Sequence, residues 1–304
     1  MPALSSWACC LKTDMETKVQ AYAKLNISLD VVSKRPDGYH NMAMVMESVS
    51  LCDDVTIRVK KGNGEVSVST NRNYLPTGKN NSAGKAAELF LGAAGITDLD
   101  VDIELFKRIP VCAGMAGGST DAAAVLRGLN KLLGTGFDRQ TLEKMGENIG
   151  SDVPYCVAGG TVLATGRGEL LEDLPDMPEC SIVICKPSFP VSTPELFSRI
   201  KCDKIRCRPD TYGIIECLEK GVLTGIGRRA FNVFESVLGQ GIAEVERIKG
   251  VMLDHGAVGA SMSGTGPTVF GIYADRKDAE KAFEVLKDAY IECFIAENIK
   301  KLTV

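Results

Sequence analysis

Three short stretches of the chain carry side chains suited to an anionic substrate. The longest, Pro110-Val111-Cys112-Ala113-Gly114-Met115-Ala116-Gly117-Gly118-Ser119-Thr120, is rich in glycine and runs into an apolar helical pattern expected to begin near Asp121. Glycines let backbone N–H groups converge on an anion, and a helix N-terminus adds partial positive charge at the same point. Ser119 and Thr120 offer hydroxyls to a phosphate or a magnesium ion, although a flexible turn capped by Ser119, Thr120 or Asp121 explains the same residues. Lys24 and Asn26 stand two residues apart in an alternating segment, so both leave the core face of one strand. Standing alone, that pair reads as a solvated strand face. Asp152, in Gly150-Ser151-Asp152-Val153-Pro154, either caps a helix with Pro154 in its first turn or holds a carboxylate at a loop tip, facing a reacting hydroxyl.

Two further stretches could line the same place. Gly259 to Thr268 is a second glycine-rich turn feeding a strand, with small residues dense enough for close approach by a ligand or another loop. Lys34 to His40 sets Tyr39 and one of only two histidines directly after a Pro36-Asp37-Gly38 turn. Neither common nucleotide motif is present. Gly78 to Ala86 has one residue too many between its glycines for a Walker loop, and alanine where the hydroxyl belongs. No GxGxxG follows a clear first strand, which disfavours a Rossmann site. Asn80, Asn81 and Lys85 suit adenosine binding and a helix start equally.

The elements that must position these residues follow from periodicity. Val19, Ala21, Ala23, Leu25, Ile27, Leu29 and Val31 are expected on one face of a strand, and Gln20, Tyr22, Lys24, Asn26, Ser28 and Asp30 on the other. Further strands are expected at 55–60, 65–69, 101–106, 161–164, 181–185 and 268–273. Helices are expected over 83–91, over 122–133 with Gly134 ending it, over 139–148 capped by Asp138, and over 275–289. The region from Pro194 to about Lys249 reads as mostly helical, interrupted near Pro209. Hairpin-like strands mixed with helices, without strict βα alternation, favour an α+β fold. Two lobes are expected, 15–165 and 166–304, with a composition break around Arg167–Pro178.

Composition bounds the partners. With 304 residues, 45% hydrophobic and 24% charged, the chain can bury a substantial core. A net charge of -4 gives no basic footprint, so nucleic acid is not an expected partner, while a small phosphorylated ligand is compatible. The eleven cysteines lie scattered beside apolar residues without paired CxxC units, which points to free thiols in a reducing cytoplasm. No apolar run of about 18 residues occurs, so no membrane span is expected. The first 17 residues include Trp7, Cys9 and Cys10 but lack a signal peptide's charged start and apolar centre. The fold is expected to begin close to Met15, the leading residues being an upstream extension or an early start site. With no long transit-like leader, a bacterial cytoplasmic protein is expected.

Taken in order, the lysine strand, Pro-x3-Gly-x2-Gly-Gly-Ser, Gly-Ser-Asp-Val-Pro and Ser-Gly-Thr-Gly-Pro-Thr resemble the GHMP kinases, from about Lys18 to the C-terminus. Ala23-Lys24-Leu25-Asn26 and Arg35-Pro36-Asp37-Gly38-Tyr39-His40 narrow the resemblance to the branch whose substrate, a methylerythritol of the non-mevalonate isoprenoid pathway, carries a cytidine diphosphate moiety. The resemblance implies an N-terminal lobe like ribosomal S5 domain 2, a C-terminal α+β lobe, and an active site in the cleft between them. It implies that ATP, with Mg2+, lies against Pro110–Thr120, Ser119 and Thr120 being the candidate metal ligands, and that the tertiary 2-hydroxyl is phosphorylated. Lys24 and Asp152 match the family's catalytic pair. Asn26 and His40 match positions that hydrogen-bond the substrate, and Tyr39 and Phe197 match aromatic positions that sandwich the cytosine. Cys112 and Met115 depart from the small residue and the leucine common at those positions. The alternatives are a GHMP kinase or related decarboxylase acting on another small molecule, of homoserine or mevalonate type, and a silent nucleotide-binding regulator. Tyr39, His40 and Phe197 speak against another alcohol, and Lys24 with Asp152 against the regulator.

Overall fold

Alternating apolar residues build two long paired strands at the centre of the molecule. The computed structural model of the chain describes residues 14–302, so Trp7, Cys9 and Cys10 lie outside the described residues. Strand β1 spans Met15–Lys34 and β2 spans His40–Lys61; they pair antiparallel from Met15 opposite Val59 to Lys34 opposite His40, across the Pro36-Asp37-Gly38 turn. β2 begins far ahead of the expected Val55, and its methionines at 42, 44 and 46 alternate inward. The single-faced alternation expected for β1 is corrected. Register shifts between Tyr22 and Lys24 and between Asn26 and Ser28 change the facing of the strand. Ala23, Leu25 and Ile27 therefore pack in one core cluster, and Ala21, Leu29 and Val31 in another. From Ala23 to Val31 every residue is buried, because the face expected to meet solvent meets the rest of the protein.

Around this hairpin a seven-stranded sheet runs in the order β3 (Val66–Thr70), β4 (Leu99–Phe106), β2, β1 and β8 (Phe231–Asn232). β5 (Val162–Gly166) pairs with β2, and β6 (Leu170–Asp173) pairs with β5. Helices α1 (Ser82–Ala94) and α2 (Gly117–Leu133) pack together, and α2 lies against β1. Asn81 caps α1 by accepting from Ala83, which is the helix-start reading of that segment. Gly134 ends α2, and Asp138 caps α3 (Arg139–Glu147), both as expected. The expected start of α2 near Asp121 is corrected to Gly117. Its N-cap is Ala116, in a left-handed conformation, and no side chain caps it. The short helix α4 (Val153–Ala158) follows, wholly buried.

A second, four-stranded sheet has the order β11 (Glu292–Glu297), β7 (Ser181–Lys186), β10 (Val269–Tyr273) and β9 (Gly259–Met262), antiparallel throughout. The connecting region is helical as expected: α5 (Thr193–Arg199), α6 (Thr211–Glu219), α7 (Leu223–Arg228) and α8 (Ile242–Asp254). Helix α9 (Arg276–Lys287), capped by Asp275, packs with α8 over this sheet. Strands β6, β8, β9 and β11 are absent from the expected set, β8 interrupting the region expected to be helical. Leu170–Asp173 is too short and exposed for a clear pattern, and Gly259–Met262 hides in small residues. The chain crosses between sheets at 174–180, and its end returns to the first, where Ile299 N–H donates to the Ser48 carbonyl at 2.9 Å.

One buried acid in this frame makes stability pH-dependent. Glu47 on β2 accepts from Thr161 Oγ1 at 2.6 Å, and burial pushes its pKa from 4.5 up to about 8, against the Thr161 bond and with help from Asp176. The folded protein holds this proton through a range where the unfolded chain has released it. Stability thus falls as pH rises from 4.5 to about 8, by on the order of 1.4 kcal/mol for each pH step of one, and levels above that. Glu47→Gln keeps an acceptor for Thr161 and is expected to flatten this slope, melting above the wild type at pH 8.5 and level with it at pH 4.5. An unchanged slope in thermal melts across that range would remove Glu47 as its source.

Candidate active site

The two sheets leave a cleft of about 900 Å³ between them, and most of the residues singled out by their chemistry line it. Lys24 reaches it from β1, where its ammonium lies 2.6 Å from Asn26 Oδ1 and 3.8 Å from Asp152 Oδ2. Asp152 occupies the N-cap position of α4 with Pro154 in the first turn, yet its side chain makes no capping bond. The carboxylate is instead turned toward Lys24 and is one-third exposed to the cleft. Asn26 is fully buried, with Oδ1 on Lys24 and Nδ2 lacking a partner, a donor left for a ligand.

Beside this pair runs the glycine-rich loop. Cys112, Gly114 and Ala116 are all left-handed, at φ of 52°, 74° and 59°. Two of them are not glycine, which stores about 1–3 kcal/mol each. Such alternating strain before a helix start is the geometry of an anion-binding nest, with α2 adding its dipole. Gly114 admits no side chain: a Cβ there would lie 2.1 Å from the Ser263 carbonyl oxygen. The second glycine-rich turn is thus seated on the first, and Ser263 Oγ donates to the Gly114 carbonyl at 2.9 Å while accepting from Asn26 N–H at 3.2 Å. Asn232 on β8 holds that turn through the Met262 and Gly264 carbonyls, at 2.7 and 2.8 Å. The small residues of Gly259–Thr268 serve approach by another loop, and Gly264, Thr265 and Gly266 also line the cleft.

Within the loop, Cys112, Gly114, Ala116 and Ser119 face the cleft. Pro110, Ala113 and Met115 are buried in the protein, while Val111, Gly117 and Gly118 stand outside the cleft lining. Thr120 turns away as well: its hydroxyl is buried and donates to the Gly117 carbonyl at 2.9 Å.

Part of the cleft wall is aromatic. Tyr39 is 57% exposed beside it, and His40 and Phe197 stand with ring centroids 5.2 Å apart. Phe234 braces Phe197 edge-on at 4.8 Å. Burial, with Lys34 nearby, holds the His40 imidazole below its ordinary range, so near neutral pH it offers one donor and one acceptor.

Some functional positions escape sequence reasoning. Asn232 and Phe234 sit in a region of helical pattern and carry no motif. Lys107, Asp53 and Asp121 form a buried charged cluster below the loop, joined by ion pairs from Lys107 to both carboxylates. No local signal links residues so far apart. Arg167 lines the cleft from the β5–β6 turn.

The GHMP kinases N terminal domain matches residues 81–160, and the GHMP kinases C terminal domain matches residues 214–292. A 4-diphosphocytidyl-2-C-methyl-D-erythritol kinase of Lachnoclostridium phytofermentans is 45% identical over 265 residues, covering 87% of this chain and 90% of its own. A crystal structure of 4-(cytidine 5'-diphospho)-2C-methyl-D-erythritol kinase superposes with a TM-score of 0.78 at 30% identity, over 93% of this chain and 99% of its own. The homoserine kinase of Cytophaga hutchinsonii shares the fold alone, with a TM-score of 0.72 at 21% identity over 96% of each chain. Identity at the level of the first two, along most of both chains, makes this protein a member of the 4-diphosphocytidyl-2-C-methyl-D-erythritol kinase family within the GHMP kinases.

Proposed function

We infer that this enzyme transfers the γ-phosphoryl group of ATP to the 2-hydroxyl of 4-diphosphocytidyl-2-C-methyl-D-erythritol. The observation that carries the reading is one cleft lined together by the Lys24–Asp152 pair, by Tyr39, His40 and Phe197, and by the strained loop 112–116. ATP phosphates rest on the loop and the start of α2. The substrate hydroxyl lies at Asp152, which orients it and accepts its proton as the oxygen bonds to the γ-phosphorus and ADP departs. A carboxylate is a weak base for an alcohol, but a loose phosphoryl-transfer transition state asks for the proton late, so placement and charge do most of the work. Lys24 supplies that charge beside both groups. The Ser119 hydroxyl, on the cleft wall, is the protein oxygen that would be offered to Mg2+, which takes few protein ligands and completes its shell with phosphates and water. The bound ion would neutralise phosphate charge.

At the aromatic wall, Tyr39 and Phe197 sandwich the cytosine and neutral His40 matches its donor–acceptor edge. Tyr39→Ala is expected to raise KM for the cytidyl substrate by roughly 5- to 100-fold, the scale of one base–aromatic stack, with a smaller change in kcat. An unchanged KM would end the stacking role.

We place the division between the two lobes in the 174–180 crossing, and the enzyme in a reducing cytoplasm. The cysteines lie scattered beside apolar residues without paired CxxC units, which favours that compartment. The reading is tested by ADP release from ATP and magnesium with the cytidyl substrate, mevalonate, homoserine or galactose. Turnover with the first alone is expected. Turnover with another alcohol would discard the roles of Tyr39, His40 and Phe197, and ATP binding without any turnover would leave a silent regulator.

A further inference from the structure

The cleft has two lining cations among the described residues, and one of them is idle in the chemistry above. Lys24 is engaged by Asn26 and Asp152. Arg167 is held loosely: its guanidinium lies 5.3 Å over the Tyr39 ring, and its ion pair to Glu169 is long, at 3.7 Å. The backbone fixes the turn instead, Arg167 N–H donating to Glu169 Oε2 at 2.5 Å. Arg167 also lines a small hollow together with Tyr39, Gly150 and Ser151, so it stands where the aromatic wall of the cleft approaches the Asp152 loop.

A substrate with its reacting hydroxyl at Asp152 and its base at Tyr39 must run its linker past that point. In the inferred substrate the linker is a diphosphate, and an anion passing there needs a cation whose own pairing is weak, as the long Glu169 contact of Arg167 is. A guanidinium is suited to it, because its planar fork can give two parallel hydrogen bonds to phosphate oxygens. We propose that Arg167 binds the diphosphate linker and makes the cleft select a nucleoside diphosphate over the bare nucleoside. This rests on the substrate reading given above. Arg167 then has two partners at once, the phosphates through its edge and the Tyr39 ring through its face, which couples anion binding to the position of the stacking tyrosine.

The test is competition by cytidine 5′-diphosphate and by cytidine against the cytidyl substrate, at saturating ATP, for wild type, Arg167→Gln and Arg167→Lys. In the wild type the diphosphate is expected to inhibit far more tightly than the nucleoside. In Arg167→Gln its inhibition constant is expected to rise about 10- to 100-fold while that of cytidine moves less than about twofold. Arg167→Lys keeps the charge without the fork and is expected to fall between them. Equal weakening of both inhibitors would mean that Arg167 only steadies Tyr39, and no weakening of either would mean that it faces solvent; each result overturns the proposal. If neither compound competes with the wild type, the cytidyl reading itself fails and takes this proposal with it. Arg167 is partly exposed, so thermal melts of the variants should match the wild type and separate loss of binding from loss of fold.

Discussion

Asp152→Asn is expected to lower kcat by on the order of 10²–10⁴-fold while leaving ATP affinity nearly intact. The substitution keeps the shape of the side chain and removes its charge and its capacity to take a proton. Asp152 makes no capping bond to α4, and its backbone position is fixed by Pro154 and the buried helix behind it. Stability should therefore change little, so the lost rate can be assigned to chemistry. The 3.8 Å contact with Lys24 predicts a further result. Once the carboxylate is neutral, the lysine keeps Asn26 but no longer has the charged group it acts beside, and Lys24→Met in the Asp152→Asn background should cost much less than it does alone. Single-turnover measurements with ATP and the cytidyl substrate would show both effects. Turnover within a few-fold of the wild type would remove Asp152 from the mechanism, and full additivity would show that the two residues act separately.

What could be read from the sequence, and what could not, divides along a physical line. Local signals were sufficient where one stretch of chain determines its own structure. Asp138 and Gly134 bound helices because a cap needs only neighbouring residues, and Lys24 and Asn26 share a face because they are two apart on a strand. Asp152 shows the limit of such reading. The same Asp-Val-Pro pattern suits a cap and a free carboxylate, and only the presence of Lys24 across the cleft distinguishes them. The facing of β1 was not legible, since register shifts depend on how β2 pairs rather than on β1 itself. The loop was legible as glycine-rich but not as strained: nothing local marks Cys112 and Ala116 for left-handed geometry, and the Ser263 turn that packs on Gly114 between them is distant in sequence. Thr120 looks like a ligand hydroxyl by residue type, but once the helix starts at Gly117 it lies inside the first turn.

The charged cluster below the loop lies furthest beyond sequence reading, and it carries a large expected effect on stability. The Lys107 side chain is 3% exposed and pairs with Asp53 and Asp121, while its ammonium also donates to the Gly117 carbonyl at 3.2 Å. Asp53 in turn accepts from the N–H of Ile109 at 2.8 Å. One ammonium thus ties the end of β4 to the first turn of α2, on either side of the phosphate loop. Burial opposes charge on Lys107, but the two carboxylates outweigh it and hold its pKa above the ordinary value. Burial, with Asp53 alongside, pushes Asp121 up to about 7 despite the lysine. Lys107→Met would leave two buried carboxyl groups without a counter-charge, and breaking a buried pair from one side costs about 3–5 kcal/mol. The sign of the pH dependence follows from the same groups. Without Lys107 the folded protein favours a protonated Asp121 more strongly, so the deficit should be largest above pH 7 and shrink as the solution is acidified. Adding Asp121→Asn removes one stranded charge and should recover part of the loss. Urea unfolding of the three proteins at pH 6 and pH 8 would measure this. A shift below about 1 kcal/mol for Lys107→Met would mean that water reaches the cluster and screens it. A full loss that ignores pH would assign the cost to packing of the lysine stem rather than to its charge.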